Sequence, residues 1–313
     1  MRTIVEDAAS RVDPDTIDES ASPSGDSRQV GRLTNTRLMG PLLGLPGKVV
    51  SYGTNQADSS LKTLGRFVDL VVESWTHLLA DLVRLRHPWR ETVSQAWFVL
   101  SVTVVPALMM SIPFGVIVAV QTGSLMQQVG ATSVSGAAGG LGVIQQGAPI
   151  VAALLLGGAA GSAVATDLGA RSIREEVDAM RVMGINPVQR LVTPRLAAIV
   201  IVCPPLCVFI IFIGIFAGYV MNVGFQHGTP GSYISSFASF ASVNDVVVAI
   251  VKTIVFGVVV ILVACQRGLE AKGGARGVAD AVNATVVIGV VTVMVLNAVI
   301  TQLVAMFMPV KVG

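Results

Sequence analysis

The chain has 313 residues, is 53% hydrophobic and only 13% charged, and has a mean hydropathy of +0.73 with a formal net charge of +2. A soluble domain of this size needs a far more polar surface, so soluble classes are excluded and the chain reads as an integral membrane protein. Cys203, Cys207 and Cys265 lie in or at the end of apolar runs. Three cysteines cannot build a disulfide framework, and CPPLC lacks metal-ligand spacing, so they read as small buried residues.

Residues 1–45 are rich in Ser, Asp, Arg, Pro and Gly with little periodicity, and a disordered cytoplasmic tail is expected there. The first twenty residues have no apolar core, so no secretory signal is expected. From residue 61 to 87 the pattern changes. Phe67, Leu70, Val71, Leu78, Leu79, Leu82 and Leu85 line one helical face, while Lys62, Arg66, Asp69, Glu73, His77 and Arg84 line the other. This amphipathic helix is too polar to span. It is expected in the membrane interface, with Trp75 and Trp89 at headgroup level; docking on another protein is the alternative.

A first span is predicted over about Gln95–Val120, kinked at Pro106 and Pro113. A Gly/Ser/Gln-rich loop should follow to about Gly142. The second span covers about Val143–Thr166, and its Gly157 and Gly161, four apart, would admit another helix closely. From Thr92 to Thr166 there is no Asp, Glu, Lys, Arg or His, and from Leu196 to Asn244 the only such residue is His227. Between these two stretches stands a charged island, Asp167–Arg195. Burying so many ionised groups in hydrocarbon is costly, so the island is a water-facing loop between two spans.

Within the island a helix is predicted from Ser172 to Met183. Ser172 and Glu175 have capping-box spacing; Gly184 stands at the C-cap, and Pro187 follows. Arg171, Arg174, Asp178 and Arg181 fall on one face, and Ile173, Val177 and Met180 on another. Such a helix could dock a soluble partner or lie on its own bundle; spacing leaves both open.

The third span is expected over about Leu196–Met221 with a break at Pro204–Pro205. A loop with a short helix near Tyr233–Ser242 comes next. The fourth span covers about Val246–Ala264, the polar loop CQRGLEAKGGARGVAD follows, and the fifth span covers about Ala281–Met308. Lys and Arg number 11 before the first span, 5 in the island and 3 in the last loop, so 19 of the 21 lie on one side. The positive-inside rule makes that side cytoplasmic, with the N-terminus inside and the C-terminus outside.

No catalytic constellation is visible, the three histidines have no metal-ligand spacing, and no P-loop is present. The basic residues follow membrane topology and outline no nucleic-acid groove. Lys252, well inside the fourth span, breaks the rule against charge in hydrocarbon. It is either a functional-site residue facing the bundle interior or a lysine snorkelling to the outer interface. Asp245 lies seven residues earlier on roughly the same face, too far for direct contact at about 1.5 Å per residue. Gln145 and Gln146 are candidates for a polar patch in the same region.

The stretch EEVDAMRVMGINPVQRLVTPRLAA, Glu175–Ala198, resembles the signature of the YrbE/MlaE family of ABC-transporter permeases, whose pattern is close to E-x-D-A-[LM]-x-x-M-G-[IV]-[DN]-P. GGAAGSAVATDLGAR, Gly157–Arg171, and CQRGLEAKGGARGVADAV, Cys265–Val282, resemble two further family segments. The resemblance covers about residues 61–310 as one permease domain and is nearer the actinobacterial Mce-associated branch. It implies an all-α membrane fold: an interfacial elbow helix, five spans and a cytoplasmic coupling helix between spans two and three. By the same resemblance, Ser172, Arg174, Glu175, Glu176, Asp178, Ala179, Met180, Met183 and Gly184 would seat in a cytoplasmic ABC ATPase that holds ATP and Mg, this chain itself carrying no cofactor. The implied partners are a second, paralogous permease chain and extracytoplasmic MCE-domain proteins. The implied cargo is a phospholipid, fatty acid or sterol, and the implied location is the plasma (inner) membrane. Lys252 matches a lysine of the family's fourth span and, with Gln146 and Asp245, would line the lipid pathway. Gln146 and Ala159 are uncharged where the phospholipid branch often has an acidic residue and an Arg. A non-transporting membrane scaffold and a secondary carrier are the rival readings. Carriers usually need several ionisable groups at the midplane, and here only one lies well inside a span.

Overall fold

A computed structural model describes residues 65–78, 89–226 and 228–307, all within the second of two units, Ser60–Gly313. The tail expected over 1–45, the amphipathic helix beyond residue 78, His227 and Lys311 lie outside the described residues. The helices are α1 (65–78), α2 (Trp89–Gln128), α3 (Ser135–Gly142), α4 (Ala148–Leu155), α5 (Ser162–Ile173) and α6 (Glu176–Val182), followed by α7 (Thr193–Phe225), α8 (Pro230–Phe240), α9 (Val243–Leu269) and α10 (Ala275–Phe307). No strand occurs among the described residues. Among the described residues five helical runs are long and apolar enough to cross a membrane: Trp89–Gln128, Ser135–Ile173, Val188–Phe225, Val243–Leu269 and Ala275–Met306. That is the number the charge pattern predicts.

The spans exceed the expected ones at most of their ends; two expected irregularities are absent and a third is shortened. The segment before Gly142, expected as a loop, is a one-turn 3-10 helix (Thr132–Val134) and then α3. Its small residues let α8 lie directly on it: Gly136 meets the Tyr233 backbone and Gly140 the Phe237 ring. The break expected at Pro204–Pro205 does not occur, and α7 is continuous through both. Two lost N–H groups are tolerated where neighbouring helices support the backbone, and α7 is packed along α2 and α9. The loop after the fourth span is shorter than expected. Because Cys265 and Gln266 are buried, α9 continues to Leu269, and Gly273 and Gly274, both at positive φ, turn the chain into α10.

Burial sorts the spans into a centre and a periphery. The most apolar window of the second span is 67% buried and those of the third and fourth 56%, against 28% for the first and 17% for the fifth. Leu156, Leu168, Leu196, Ile199, Leu206 and Ile261 form the middle of the core, with the three cysteines fully buried beside them. In lipid no hydrophobic force separates protein from surroundings, so close packing holds such helices together. Gly115 is the clearest case: a Cβ there would overlap the Gly214 backbone, so α2 and α7 touch main chain to main chain. Gly157 and Gly161 also pack as expected, against Val260 of α9, with Thr285 of α10 beside Gly161.

Candidate functional site

Two polar regions stand out, one inside the bundle and one at the end that carries the charged island. The inner one begins with Lys252, nine residues into α9 and so about 14 Å along the helix from Val243. The start of α9 is fixed by a capping box: Ser242 Oγ accepts from the Asp245 N–H, and Asp245 Oδ2 accepts from the Ser242 N–H at 3.0 Å. Asp245 is thus committed to the helix cap, and its Oδ1 accepts from Gln145 Nε2 at 3.0 Å. Among the described residues it makes no ion pair with Lys252.

Lys252 is 3% exposed, and its ammonium does not snorkel. It donates to the Gln145 carbonyl at 3.2 Å and to Thr301 Oγ1 at 2.9 Å. The free carbonyl has a covalent cause. Pro149 stands four residues after Gln145 and has no N–H to return to it, and the second span takes a π-turn there, Val143–Gly147. Thr301 is used fully. Its hydroxyl accepts from Lys252 and from Gln146 Nε2 at 3.3 Å and lies 3.5 Å from Asn297 Oδ1, while Asn297 Nδ2 donates to Gln146 Oε1 at 3.1 Å. Lys252, Gln145, Gln146, Asn297 and Thr301 therefore form one network across the second, fourth and fifth spans. Every acceptor facing the ammonium is neutral, and no carboxylate lies within 4 Å of it among the described residues. Asn297 and Thr301 were not singled out from the sequence, although two polar residues four apart in an apolar span share a face and could have been flagged.

At the island the expected single helix is two. Glu175 adopts a left-handed conformation (φ 60°), so α5 ends at Ile173 and α6 begins at Glu176. The Ser172–Glu175 capping box is therefore not formed. Ser172 belongs to α5, and its hydroxyl donates to the carbonyls of Leu269 and Ala271, tying the island to the α9–α10 turn. The break also removes Ile173 from the face of Val177 and Met180: Ile173 is exposed, Val177 is buried, and Met180 packs on the core. The expected C-cap is present in full. The Gly184 N–H bonds to the Arg181 carbonyl at 3.0 Å and the Ile185 N–H to the Met180 carbonyl at 2.9 Å, with Gly184 at φ 75°.

The charged side chains of α6 pair locally: Arg174 with Glu176 at 3.1 Å and Arg181 with Asp178 at 3.1 Å. Glu175, Asp178 and Ala179 are exposed. Beyond them the tip presents apolar side chains to the surroundings, Val182 at 88% and Met183 at 66% exposure, with Ile185 beside them. Behind α6, Arg195 is 4% exposed, pairs with Asp167 and donates to the Leu191 carbonyl at 2.9 Å. This pair of a buried arginine with a half-exposed carboxylate locks the island's first residue to its last; neither was singled out from the sequence. Among the described residues no group of three or more His, Cys, Asp or Glu could hold a metal ion.

A family model described as permease MlaE matches residues 92–303. A probable ABC transporter permease of Synechocystis is 28% identical over 183 residues, 58% of this chain and 70% of that protein. The intermembrane phospholipid transport system permease protein MlaE of Haemophilus influenzae is 29% identical over 164 residues, 52% of this chain and 63% of that protein. The chloroplastic trigalactosyldiacylglycerol 1 protein of Arabidopsis thaliana is 27% identical over 154 residues, 49% of this chain and 44% of that protein. The alignments thus span between less than half and 70% of these relatives' lengths. With the family match covering more than half of the sequence and five spans in place, the chain belongs to the MlaE permease family.

Proposed function

We propose that this chain is the membrane subunit of an Mce-type ABC lipid transporter, driven by a cytoplasmic ATPase that binds ATP and Mg. The observation that carries the reading is Lys252: a lysine sealed inside an apolar bundle and held only by neutral acceptors has no counter-charge of its own. A lipid with an anionic headgroup or a carboxylate supplies the missing counter-charge. Gln146 and Asn297 then offer hydrogen bonds to the same headgroup, and Asp245 holds the outer end of α9 in place. The phospholipid-transport name of the Haemophilus relative supports the cargo class. The apolar tip of α6, flanked by self-paired charges, suits a groove in the ATPase, and α6 carries the ATPase's closure into the spans. A second permease chain completes the cavity, MCE-domain proteins receive or deliver lipid outside, and the complex sits in the plasma (inner) membrane with the island cytoplasmic.

The test is purification of the chain from its native membrane in mild detergent, with mass spectrometry of what accompanies it and ATP-dependent movement of a fluorescent phosphatidylglycerol in vesicles. A stoichiometric P-loop ATPase, lost when Glu176 and Asp178 are changed to Lys, is expected. Lys252→Met should keep that ATPase yet lower lipid movement about tenfold or more, the scale of one lost buried charge contact. An intact complex without an ATPase, or full transport by Lys252→Met, overturns the corresponding half of the reading.

A further inference from the structure

The turn after α6, Gly184-Ile185-Asn186-Pro187, contains a residue with three simultaneous contacts. Asn186 Oδ1 accepts from the Val188 N–H at 2.9 Å, capping the π-turn Val188–Val192 that leads into α7. Its Nδ2 donates to Glu73 Oε1 at 2.6 Å and lies 3.5 Å from His77 Nε2. Glu73 and His77 are one turn apart on α1. At the other end of α1, Arg66 Nε lies 3.4 Å from Glu270 Oε1 in the α9–α10 turn. That turn receives the Ser172 hydroxyl from the end of α5. The contacts close a ring: α1, Asn186, the island, Ser172, the α9–α10 turn, and back to α1 through Arg66.

The ring differs in kind from the packing beneath it. Phe67, Leu70, Val71 and Leu78 seat α1 on the core by its apolar face, and that seat does not need Asn186. The polar contacts run across the top, partly in solvent, where they link bodies more than they hold the fold. A carboxamide is the side chain that fits this position, because one end must accept from Val188 and the other must donate to Glu73.

We propose that Asn186 is a positioning residue that makes α1 and the α6 turn one moving body, so that displacement of α6 reaches α1 and the first turn of α7 together. This rests on the reading that α6 docks on a partner ATPase. Asn186→Asp separates the two contacts: the introduced carboxylate still caps Val188 but has no donor and repels Glu73. Glu73→Gln in that background restores the link, because the glutamine amide then donates to the introduced carboxylate in the exchanged direction.

The experiment uses the full complex purified from its native membrane and reconstituted in vesicles of phosphatidylethanolamine and phosphatidylglycerol. ATP hydrolysis and movement of a fluorescent phosphatidylglycerol are measured together. N186D is expected to retain the ATPase and to hydrolyse ATP near the wild-type rate, while lipid moved per ATP falls roughly fivefold, within the range of coupling mutations. The N186D/E73Q pair should recover most of that ratio, and E73A, which leaves the turn untouched, should lose it again. An unchanged ratio in N186D or in E73A, or no recovery in the double variant, overturns the inference. If no ATPase accompanies the wild-type chain, the docking reading itself fails; an ATPase that binds and turns over with an unaltered ratio in the variants defeats this inference alone.

Discussion

The Lys252 network and the α6 region hold cations in opposite ways. Inside the bundle one ammonium is buried against a carbonyl, a hydroxyl and no carboxylate. At the island Arg171, Arg174 and Arg181 each have a carboxylate within 3.2 Å, yet their side chains stay open to water. Cations are therefore without a counter-charge in one place and paired in the other. Exposed pairs neutralise one another and are screened by water, whereas the buried lysine is held by neutral atoms alone. Arg195 stands between the two cases, buried like Lys252 but paired like the island arginines, and its charge goes into holding helices together.

Substitutions at each kind of site should therefore differ in cost. The heaviest loss should come from Asp167→Ala, which takes the carboxylate from the buried Arg195; about 2 kcal/mol is expected, less than for a fully buried pair because Asp167 is half exposed, read as a lower unfolding midpoint in detergent. Thr301→Val removes one of the two acceptors of Lys252 and unbalances Gln146 and Asn297. It should cost about 1–2 kcal/mol and lower lipid movement more than it lowers yield, as vesicle assays on equal amounts of folded protein would show. Ser242→Ala takes away the capping box at the start of α9. A loss of about 1 kcal/mol is expected, with hydrogen exchange rising over Val243–Val246 and not around Lys252. Glu175→Gly probes the island's break from the other side. By relieving a left-handed non-glycine residue it should leave the fold intact or more stable by up to about 1 kcal/mol, whereas a clear loss would mean the Glu175 side chain holds α6. Least of all should follow from Arg181→Ala at the surface, a change in stability of less than about 0.5 kcal/mol. A larger shift in thermal scans would show that the island pairs are not the screened contacts described above.

Five spans and the common side of their basic loops were legible because hydropathy and charge are read directly by lipid and water, residue by residue. The end of α6 was legible for a similar reason: a C-cap is local, and Gly184 followed by Pro187 states it within one turn. The start of α6 was not. Ser172 has correct capping spacing, but the α9–α10 turn offers its hydroxyl two carbonyls, and that competing contact is about a hundred residues away in the chain. The Pro204–Pro205 break failed likewise, since local backbone chemistry predicts it and packing on both flanks overrides it.

Composition and spacing were enough to establish a membrane protein with a water-facing charged island, and to mark Lys252 as out of place in its span. What Lys252 touches was settled by packing, because its partners come from two other helices and one of them is a backbone carbonyl left open by Pro149. Packing likewise joined Asn186 to α1, and Asp167 to Arg195. A pattern along one helix records which face is apolar. Which polar atoms meet across helices depends on crossing and register, and those are set when all the spans pack together.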